Sequence, residues 1–411
     1  MAELTRSKEL ILVTASYPYG TAEAFLTDEI PALSRRFEKI HILHRSQIGE
    51  SCVRLPSNVT ARPLRGICDR RAAGRWRAWK GSALLEELGC ALRPRRRPLS
   101  RLRAFMHWTR EASSDMEWLA ANTQAVETPV IYSYWLDQSA VAAALLKKHR
   151  PGVRTVARAH GWDVYQFRHP GDYLPFRRFL CRELDAVCFV SHDGREYTKQ
   201  LLGEASRQLK VCHLGVRASA AGPRHRLSGP LQLFSSSGVV PLKRVENIAR
   251  AVALLSGERV YWRHAGDGPG LPALRELTDE ALRANPAVTA SFLGAVPRDL
   301  LLSLYRQGNI DLFLNASETE GIPVAMMEAM AAGIPCVGPR VGGVPEIIRD
   351  GFNGFLLGPL AGPESIAEAV NRYRRLEPDE QRRMRRAALR TWGTCYNSTR
   401  NYDLFADFLA G

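Results

Sequence analysis

The 411-residue chain has no apolar run near the roughly 18 residues that crossing a bilayer requires. Its first ten residues, MAELTRSKEL, lack the basic, apolar and small-residue order of a signal peptide. Both absences lead to the expectation of a cytoplasmic protein. The eight cysteines are scattered singly with no CxxC pair, which argues against a disulfide scaffold or a zinc ribbon. Cys188, His192, Cys212 and His213 fit no structural zinc spacing either. No GxGxxG run occurs in either half, so a dinucleotide-dependent dehydrogenase is disfavoured. Lysine is scarce, at 8 against 49 arginines, within a net charge of +15. No helix-turn-helix, zinc-finger or RNA-binding signature accompanies that charge, so no nucleic-acid partner is expected.

What is present is unevenly distributed. Residues 62–110 hold fourteen basic side chains against Asp69, Glu86 and Glu87, or +11 of the +15. Trp76, Trp79 and Ala83, then Leu102, Phe105, Met106 and Trp108, recur there at helical spacing. Basic and aromatic residues mixed in this way suit a helix lying on an anionic membrane surface. A solvated basic face is the competing reading.

The chain length suggests two domains of about 200 residues each. Apolar strands at Leu10–Ala15 and Ile40–Leu43 flank a helix from about Ala24 to Phe37, a βαβ unit. Further strand-like runs at Val130–Tyr134, Thr155–Ala157 and Ala186–Val190 alternate with helices near 138–149 and 173–184. The segment 219–230, SAAGPRHRLSGP, reads as a linker. Beyond it strands near 231–236, 259–264, 288–293, 310–315 and 335–338 alternate with helices near 245–256, 270–283, 298–306 and 323–332. The fold class is therefore α/β, with two doubly wound parallel-sheet domains at 1–218 and 231–396. Ligands of such sheets bind beyond the carboxyl ends of the strands, and two facing domains would put a site in the cleft between them.

Four loops at strand ends of the second domain attract attention: SGVVPLKR, AGDGPG, NASETEGIP and GPRVGGVPE. Gly266 and Gly268 allow a ligand near the backbone, and Lys243 and Arg244 put two cations before a helix start, where a bound anion would explain them. The next helix is expected to start at Pro323 and stop at Gly333. Its residues Val324–Met327 and Ala329–Ala332 are apolar or small, which reads as burial on all sides. Glu328 within it therefore needs a partner or a ligand. Glu320 lies eight residues earlier, about 12 Å at helical rise, roughly the reach from a sugar across a diphosphate to a ribose. Carboxylates accept hydrogen bonds from paired hydroxyls, and the free N–H groups of Val324, Ala325 and Met326 would make an anion site between them. An arginine partner for Glu328 inside the fold is the alternative. In the first domain RAHGWDVY places His160, Gly161 and Asp163 after a strand, and the Gly20 turn with Glu23 follows the first strand.

The residues EGIPVAMMEAMAAGIPCV, followed by GGVPEIIRDGFNGFLL, resemble the donor-site signature of glycosyltransferase family four, retaining enzymes of the GT-B fold. GDGP at 266–269, HGWD at 160–163 and the VPLKR loop extend the resemblance to both domains. It implies a transferase that moves a sugar from a nucleotide-sugar donor to a glycan or lipid-linked acceptor in cell-surface polysaccharide synthesis, on the inner face of a membrane. Glu320, His160 and Lys243 would be catalytic. Glu328 would hold the ribose, Glu320 with Gly321, Ile322, Pro323 and Val324 the donor sugar, and Lys243 with Arg244 the diphosphate. Gly20, Asp163, Gly266 and Gly268 would complete donor binding, and a last helix, about 397–411, would pack back on the first domain. No Asp-x-Asp occurs, so neither a metal nor a cofactor is expected. One departure stands out: many relatives place arginine where Val239 stands. A sugar-nucleotide epimerase, a pyridoxal phosphorylase and a membrane-associated binding scaffold remain alternatives on the same architecture.

Overall fold

The computed structural model describes residues 9–20, 23–47, 49–51, 53–65, 79, 83–93, 97–203, 208–218, 229–307 and 309–411. Trp76 and most of the 219–230 segment lie outside them. The chain divides into two compact units, one running through His213 and including Thr399–Gly411, the other Leu214–Ser398.

The first unit is built on β1 (Glu9–Thr14), β2 (Lys39–His44), β3 (Val59–Pro63), β4 (Val130–Ser133), β5 (Arg154–Ala159), β6 (Ala186–Phe189) and β7 (Leu209–Val211). They form one sheet in the order β3-β2-β1-β4-β5-β6-β7, with every pairing parallel. Leu10–Thr14 and Val130–Ser133 are buried on both faces, as strands covered by helices on two sides must be. The helices are α1 (Leu26–Arg36), α2 (Ala83–Leu92), α3 (Pro98–Thr123), α4 (Gln138–His149), α5 (Arg177–Glu183) and α6 (His192–Leu202). Asp137 caps α4 by accepting from Ser139 N at 2.9 Å, and Ser191 caps α6 by accepting from Gly194 N at 3.2 Å. Each cap fixes where the chain turns from strand end into helix.

Two expectations change here. Helix α5 begins at Arg177 rather than near 173, because Phe176 adopts a left-handed conformation (φ 63°) that breaks any earlier turn. More importantly, the aromatic residues of the basic segment serve the core. The Trp79 ring stacks on Phe176 at 4.8 Å, and Phe105 is buried against the same ring. Leu102 and Trp108 pack against this cluster too. Burying such rings stabilises the unit by about 2 kcal/mol each. Among the described residues singled out there only Met106 stays exposed, joined by Leu85, Leu92 and Leu99.

Helix α14 (Ser398–Ala410) completes the first unit. Phe405 lies under the Arg158 guanidinium at 4.0 Å and edge-on to Tyr132, and Arg154 donates to Phe408 O at 2.6 Å. Arg35 and Arg36 pair with Asp403 and Asp407. Under this helix Arg158 meets Glu29 at 3.0 Å, both inaccessible to solvent. Burial raises the Glu29 carboxyl, with Arg158 working against it.

The second unit holds β8 (Leu231–Ser236), β9 (Val260–Ala265), β10 (Val288–Phe292), β11 (Leu312–Leu314), β12 (Cys336–Pro339) and β13 (Gly354–Leu357). Their order is β10-β9-β8-β11-β12-β13, again all parallel. Helices α7 (Val245–Ala253), α8 (Leu271–Leu282), α9 (Arg298–Arg306), α10 (Val324–Ala331), α11 (Val344–Ile347), α12 (Pro363–Arg374) and α13 (Pro378–Thr391) surround it. The first and central strands of both sheets thus reverse order at β1/β4 and β8/β11, the switch points where loops diverge and leave room for ligands.

Candidate donor-site loops in the second unit and a histidine loop in the first

The loops after β8 and β9 touch backbone to backbone. Val239 N donates to Asp267 O at 2.9 Å, and Gly270 N donates back to Val239 O at 3.1 Å. A Cβ at Gly266 would lie 1.8 Å from Ser237 O, and one at Gly268 would lie 2.6 Å from Val239 O. Both glycines are therefore required for loop contact whatever they do for a ligand. The Val239 side chain is buried in the core beside them. An arginine at this position, which the family resemblance leads one to expect, would need to displace that packing.

Beyond Val239 the chain makes a short turn, Pro241–Lys243, and Arg244 caps α7 in a left-handed conformation (φ 48°). The loop after β11 is drawn to this turn by Glu318 N, which donates to Leu242 O at 2.9 Å. As a result Lys243 Nζ donates to Glu320 Oε1 at 2.7 Å, and Asn315 Nδ2 reaches the same oxygen at 3.3 Å. Burial would raise the Glu320 carboxyl, but Lys243, Ser317 and Asn315 outweigh it and hold the group below its ordinary range. Two residues chosen separately from the sequence are thus one ion pair, with Glu320 ionised at neutral pH.

Helix α10 departs from expectation at its start. Pro323 is extended (φ −77°, ψ 106°) and is the cap; the helix proper begins at Val324. Met326 N already donates to Pro323 O at 3.1 Å, which leaves Val324 and Ala325 as the N–H groups of the proposed anion site. Gly321 O accepts from Gly343 N at 3.0 Å, pinning the loop after β12 against it, and Ile322 is buried beneath. Gly333 (φ 70°) ends the helix where expected. Val324 and Ala325 are only half-buried, so burial is complete from Met326 onward and not all round. Glu328 is buried and has Arg298 Nε of α9 3.6 Å from Oε1. An arginine partner within the fold therefore exists for it. The distance is that of an ion pair rather than a good hydrogen bond.

Sequence reasoning missed His264. It is buried at the end of β9, with Nδ1 2.8 Å from Ser235 Oγ, which also accepts from Trp262 Nε1 at 2.9 Å. Burial pushes its pKa down to about 4, so it is neutral. No local motif marks it, because its environment is made by β8 alongside.

In the first unit Asp163 organises the histidine loop. Its carboxylate accepts from His160 N at 2.5 Å and from Leu136 N at 2.7 Å. Burial alone would raise this group, but His160 and the Leu136 amide hold it low. With one amide from its own loop and one from the loop after β4 on its carboxylate, Asp163 fixes the histidine loop in place. The His160 ring leans on Tyr134 and Trp135, with centroids 4.9 and 4.5 Å away. Trp135 Nε1 donates to Glu23 Oε1 at 2.7 Å, and Glu23 accepts from the amides of Ala15, Ser16 and Tyr17 as well. Gly20 (φ 68°) provides the turn between them. One buried carboxylate thus ties the loop after β1 to the ring beside His160, a link invisible in sequence because Glu23 and Trp135 are 112 residues apart.

The family described as glycosyl transferases group 1 matches residues 223–391. The putative colanic acid biosynthesis glycosyltransferase WcaL of Escherichia coli is 27% identical over 54% of this chain and 55% of its own. The N-acetyl-alpha-D-glucosaminyl L-malate synthase of Bacillus anthracis is 26% identical over 58% of this chain and 63% of its own. The chain thus spans little more than half the length of these curated relatives. Solved structures align over nearly all of it: HepE of Anabaena in complex with UDP-glucose, with a TM-score of 0.64 at 15% identity, covering 98% of this chain and 99% of that one. The lipopolysaccharide outer core galactosyltransferase WaaB aligns with a TM-score of 0.67 at 16% identity over 98% and 99%. At such identity the likeness speaks for the fold, whose two parallel α/β units are those of GT-B proteins. The chain therefore carries a group 1 glycosyl transferase domain on a GT-B fold.

Proposed function

We propose that the protein transfers a sugar from a nucleotide-sugar donor to a glycan or lipid-linked acceptor, with retention of configuration, in cell-surface polysaccharide synthesis. The observation that carries this reading is the Lys243–Glu320 pair at 2.7 Å, set beside the first turn of α10. Departure of a nucleoside diphosphate concentrates negative charge on phosphate oxygens. A fixed ammonium, the Arg244 guanidinium and the open amides of Val324 and Ala325 are preorganised to receive it. Glu320, ionised and held by Lys243, is suited to accept from donor-sugar hydroxyls, and Glu328 from a ribose. His160 is assigned to the sugar end. The reading routes the charge of the leaving group through these protein groups and calls for no resident cofactor.

Contact with an anionic membrane surface belongs to the same proposal. No helix of the described residues is long and apolar enough to cross a membrane. The exposed arginines and leucines of α2 and α3 offer a peripheral face instead. A thermal-shift panel of UDP-, GDP-, ADP- and dTDP-sugars tests the donor class, since a ligand bound only by the folded state raises the melting temperature. A panel without any shift would overturn the proposal. Conversion of the donor in the absence of acceptor would indicate epimerisation.

A further inference from the structure

In the second unit one face of the sheet is left open where β9 and β10 run side by side. Leu231, Leu233, Val260, Trp262 and Val288 belong to the core on the other face. Alternation along a strand therefore turns their neighbours the opposite way. Register sets these neighbours in two rows: Gln232 beside Tyr261 beside Thr289, then Phe234 beside Arg263 beside Ser291. Helix α9 covers this face at β8, where Tyr305 lies 5.4 Å from Phe234. Beyond it Gln232, Tyr261 and Arg263 are half-buried, and Thr289 and Ser291 are exposed. With Asn309 they line a cavity of about 220 Å³, smaller than a drug-sized site and sufficient for one sugar ring. The rows lie within the strands, whereas the candidate donor-site loops leave from the strand ends, so the cavity uses none of the groups assigned to the donor.

Arg263 is the odd member. Its guanidinium lies 5.7 Å from the Phe234 ring and donates to Asn309 O at 3.3 Å. Partial burial lowers its pKa, and no carboxylate among the described residues opposes that shift. Asp311, at the edge of β11, is engaged with Gln232 N at 2.9 Å. A cation that has given up water without gaining a counter-charge is poised for an anion. The polar groups around it are idle as well. The hydroxyls of Tyr261, Thr289 and Ser291 make no side-chain hydrogen bond among the described residues, and Gln232 uses only Nε2, on Pro230 O at 3.4 Å. A flat ring beside an amide and hydroxyls suits a sugar, whose C–H face packs on the ring while its own hydroxyls exchange hydrogen bonds with the rest. The unmatched guanidinium adds selection for an acidic sugar, because its planar fork fits both oxygens of a carboxylate.

We propose that this face is a glycan-binding site, separate from the donor site, that takes a uronate unit. Tyr261 carries the sugar ring, Arg263 meets the carboxylate, and Gln232, Thr289 and Ser291 receive hydroxyls. Binding here requires neither donor nor turnover, so it stands or falls apart from the transferase reading.

The test uses the full chain and saturation-transfer NMR. The probes are the methyl glycosides of glucuronate and galacturonate, the matching neutral glucoside and galactoside, the 6-phosphates of glucose and galactose, and acetate. At least one uronide is expected to bind about tenfold more tightly than its neutral glycoside, its phosphate counterpart and acetate, the gain of about one charge-assisted hydrogen bond. Arg263→Gln should erase the advantage over the neutral glycoside, and Tyr261→Ala should weaken uronide and neutral glycoside alike. Ser291→Asp, at an exposed position opposite Arg263, puts a carboxylate where that of the ligand would lie. It should abolish the uronide preference with the melting temperature unchanged. Equal affinity for uronide and neutral glycoside, or a preference that survives both Arg263→Gln and Ser291→Asp, overturns the proposal. Tighter binding of the sugar phosphate overturns the choice of a carboxylate. Displacement of the uronide by UDP-glucose would place it among the donor loops and overturn the separate site.

Discussion

Lys243 and Glu320, 77 residues apart in sequence, share a 2.7 Å hydrogen bond in which the ammonium donates to a carboxylate that is nearly closed to solvent. The relationship gives Glu320 its charge and Lys243 its position. Glu320 is ionised because Lys243 is there. Lys243 in turn is held near the start of α10, where it would otherwise be one more flexible surface lysine.

Replacing Lys243 by alanine should therefore do more than remove a cation from the site. Turnover is expected to fall about 100- to 1,000-fold, the range seen when one preorganised charge-stabilising group is lost. Lys243→Arg should recover part of it. Steady-state rates with saturating donor read both effects, and a Lys243→Ala variant with wild-type turnover would exclude Lys243 from the chemistry.

The same pair predicts a pH signature. Glu320 is depressed in the folded protein, so its contribution is present above the ordinary carboxylate range and is lost as pH falls through its folded pKa. In Lys243→Ala only Ser317 and Asn315 still oppose burial, so the carboxyl moves up from its wild-type position, and the stability it contributes at neutral pH shrinks. The gap in melting temperature between the two proteins should narrow steadily from pH 7 to pH 4. A gap that stays constant would mean the pair contributes nothing to stability.

His264 gives the wild type a separate acid limb. Its pKa is pushed down to about 4 by burial, against an ordinary value of 6.5. The unfolded chain therefore takes up a proton that the folded one refuses, and stability should decline as pH falls from 6.5 toward 4. The loss is about 3 kcal/mol at most. His264→Gln, which keeps a partner for Ser235, should flatten that limb in pH-dependent unfolding; an unchanged slope would contradict it.

Gly266→Ala should be far more damaging than Gly238→Ala. The first would force a Cβ to 1.8 Å from Ser237 O, while the second meets Asp267 O at an ordinary 3.7 Å. We expect Gly266→Ala to lose several kcal/mol and nucleotide binding together, and Gly238→Ala to change stability by about 1 kcal/mol or less. Equal melting temperatures for the two would show that the loops after β8 and β9 are not in contact.

Much of this was legible in the sequence. The alternation of apolar strands with helices announced two parallel-sheet domains, and the run from Glu320 to Gly333 marked its own helix and stop. β3, β7 and β13 were not anticipated, because strands as short and as partly exposed as Val59–Pro63 carry no alternation strong enough to read. Helix α13 was missed although its signals were local: Pro378 at the first position and a capping box between Glu377 and Glu380. The site divides along the same line. Glu320, Lys243 and Glu328 stood out because charge in glycine-rich or apolar surroundings is conspicuous. Arg298, His264 and Trp135 did not, since each acquires its meaning from a neighbour on another strand or helix. The basic segment was misread where periodicity alone was used, as helical spacing of Phe105 and Trp108 identifies a buried face without saying whether protein or lipid covers it.

The place of α14 has a consequence for the order of synthesis. The unit that leaves the ribosome first keeps Arg158, Glu29 and Tyr132 uncovered until Phe405 has been made, after the whole of the second unit. A nascent chain halted anywhere before that point holds a charged pair waiting for its apolar cover. Completion of the first unit therefore reports that the second has already been translated.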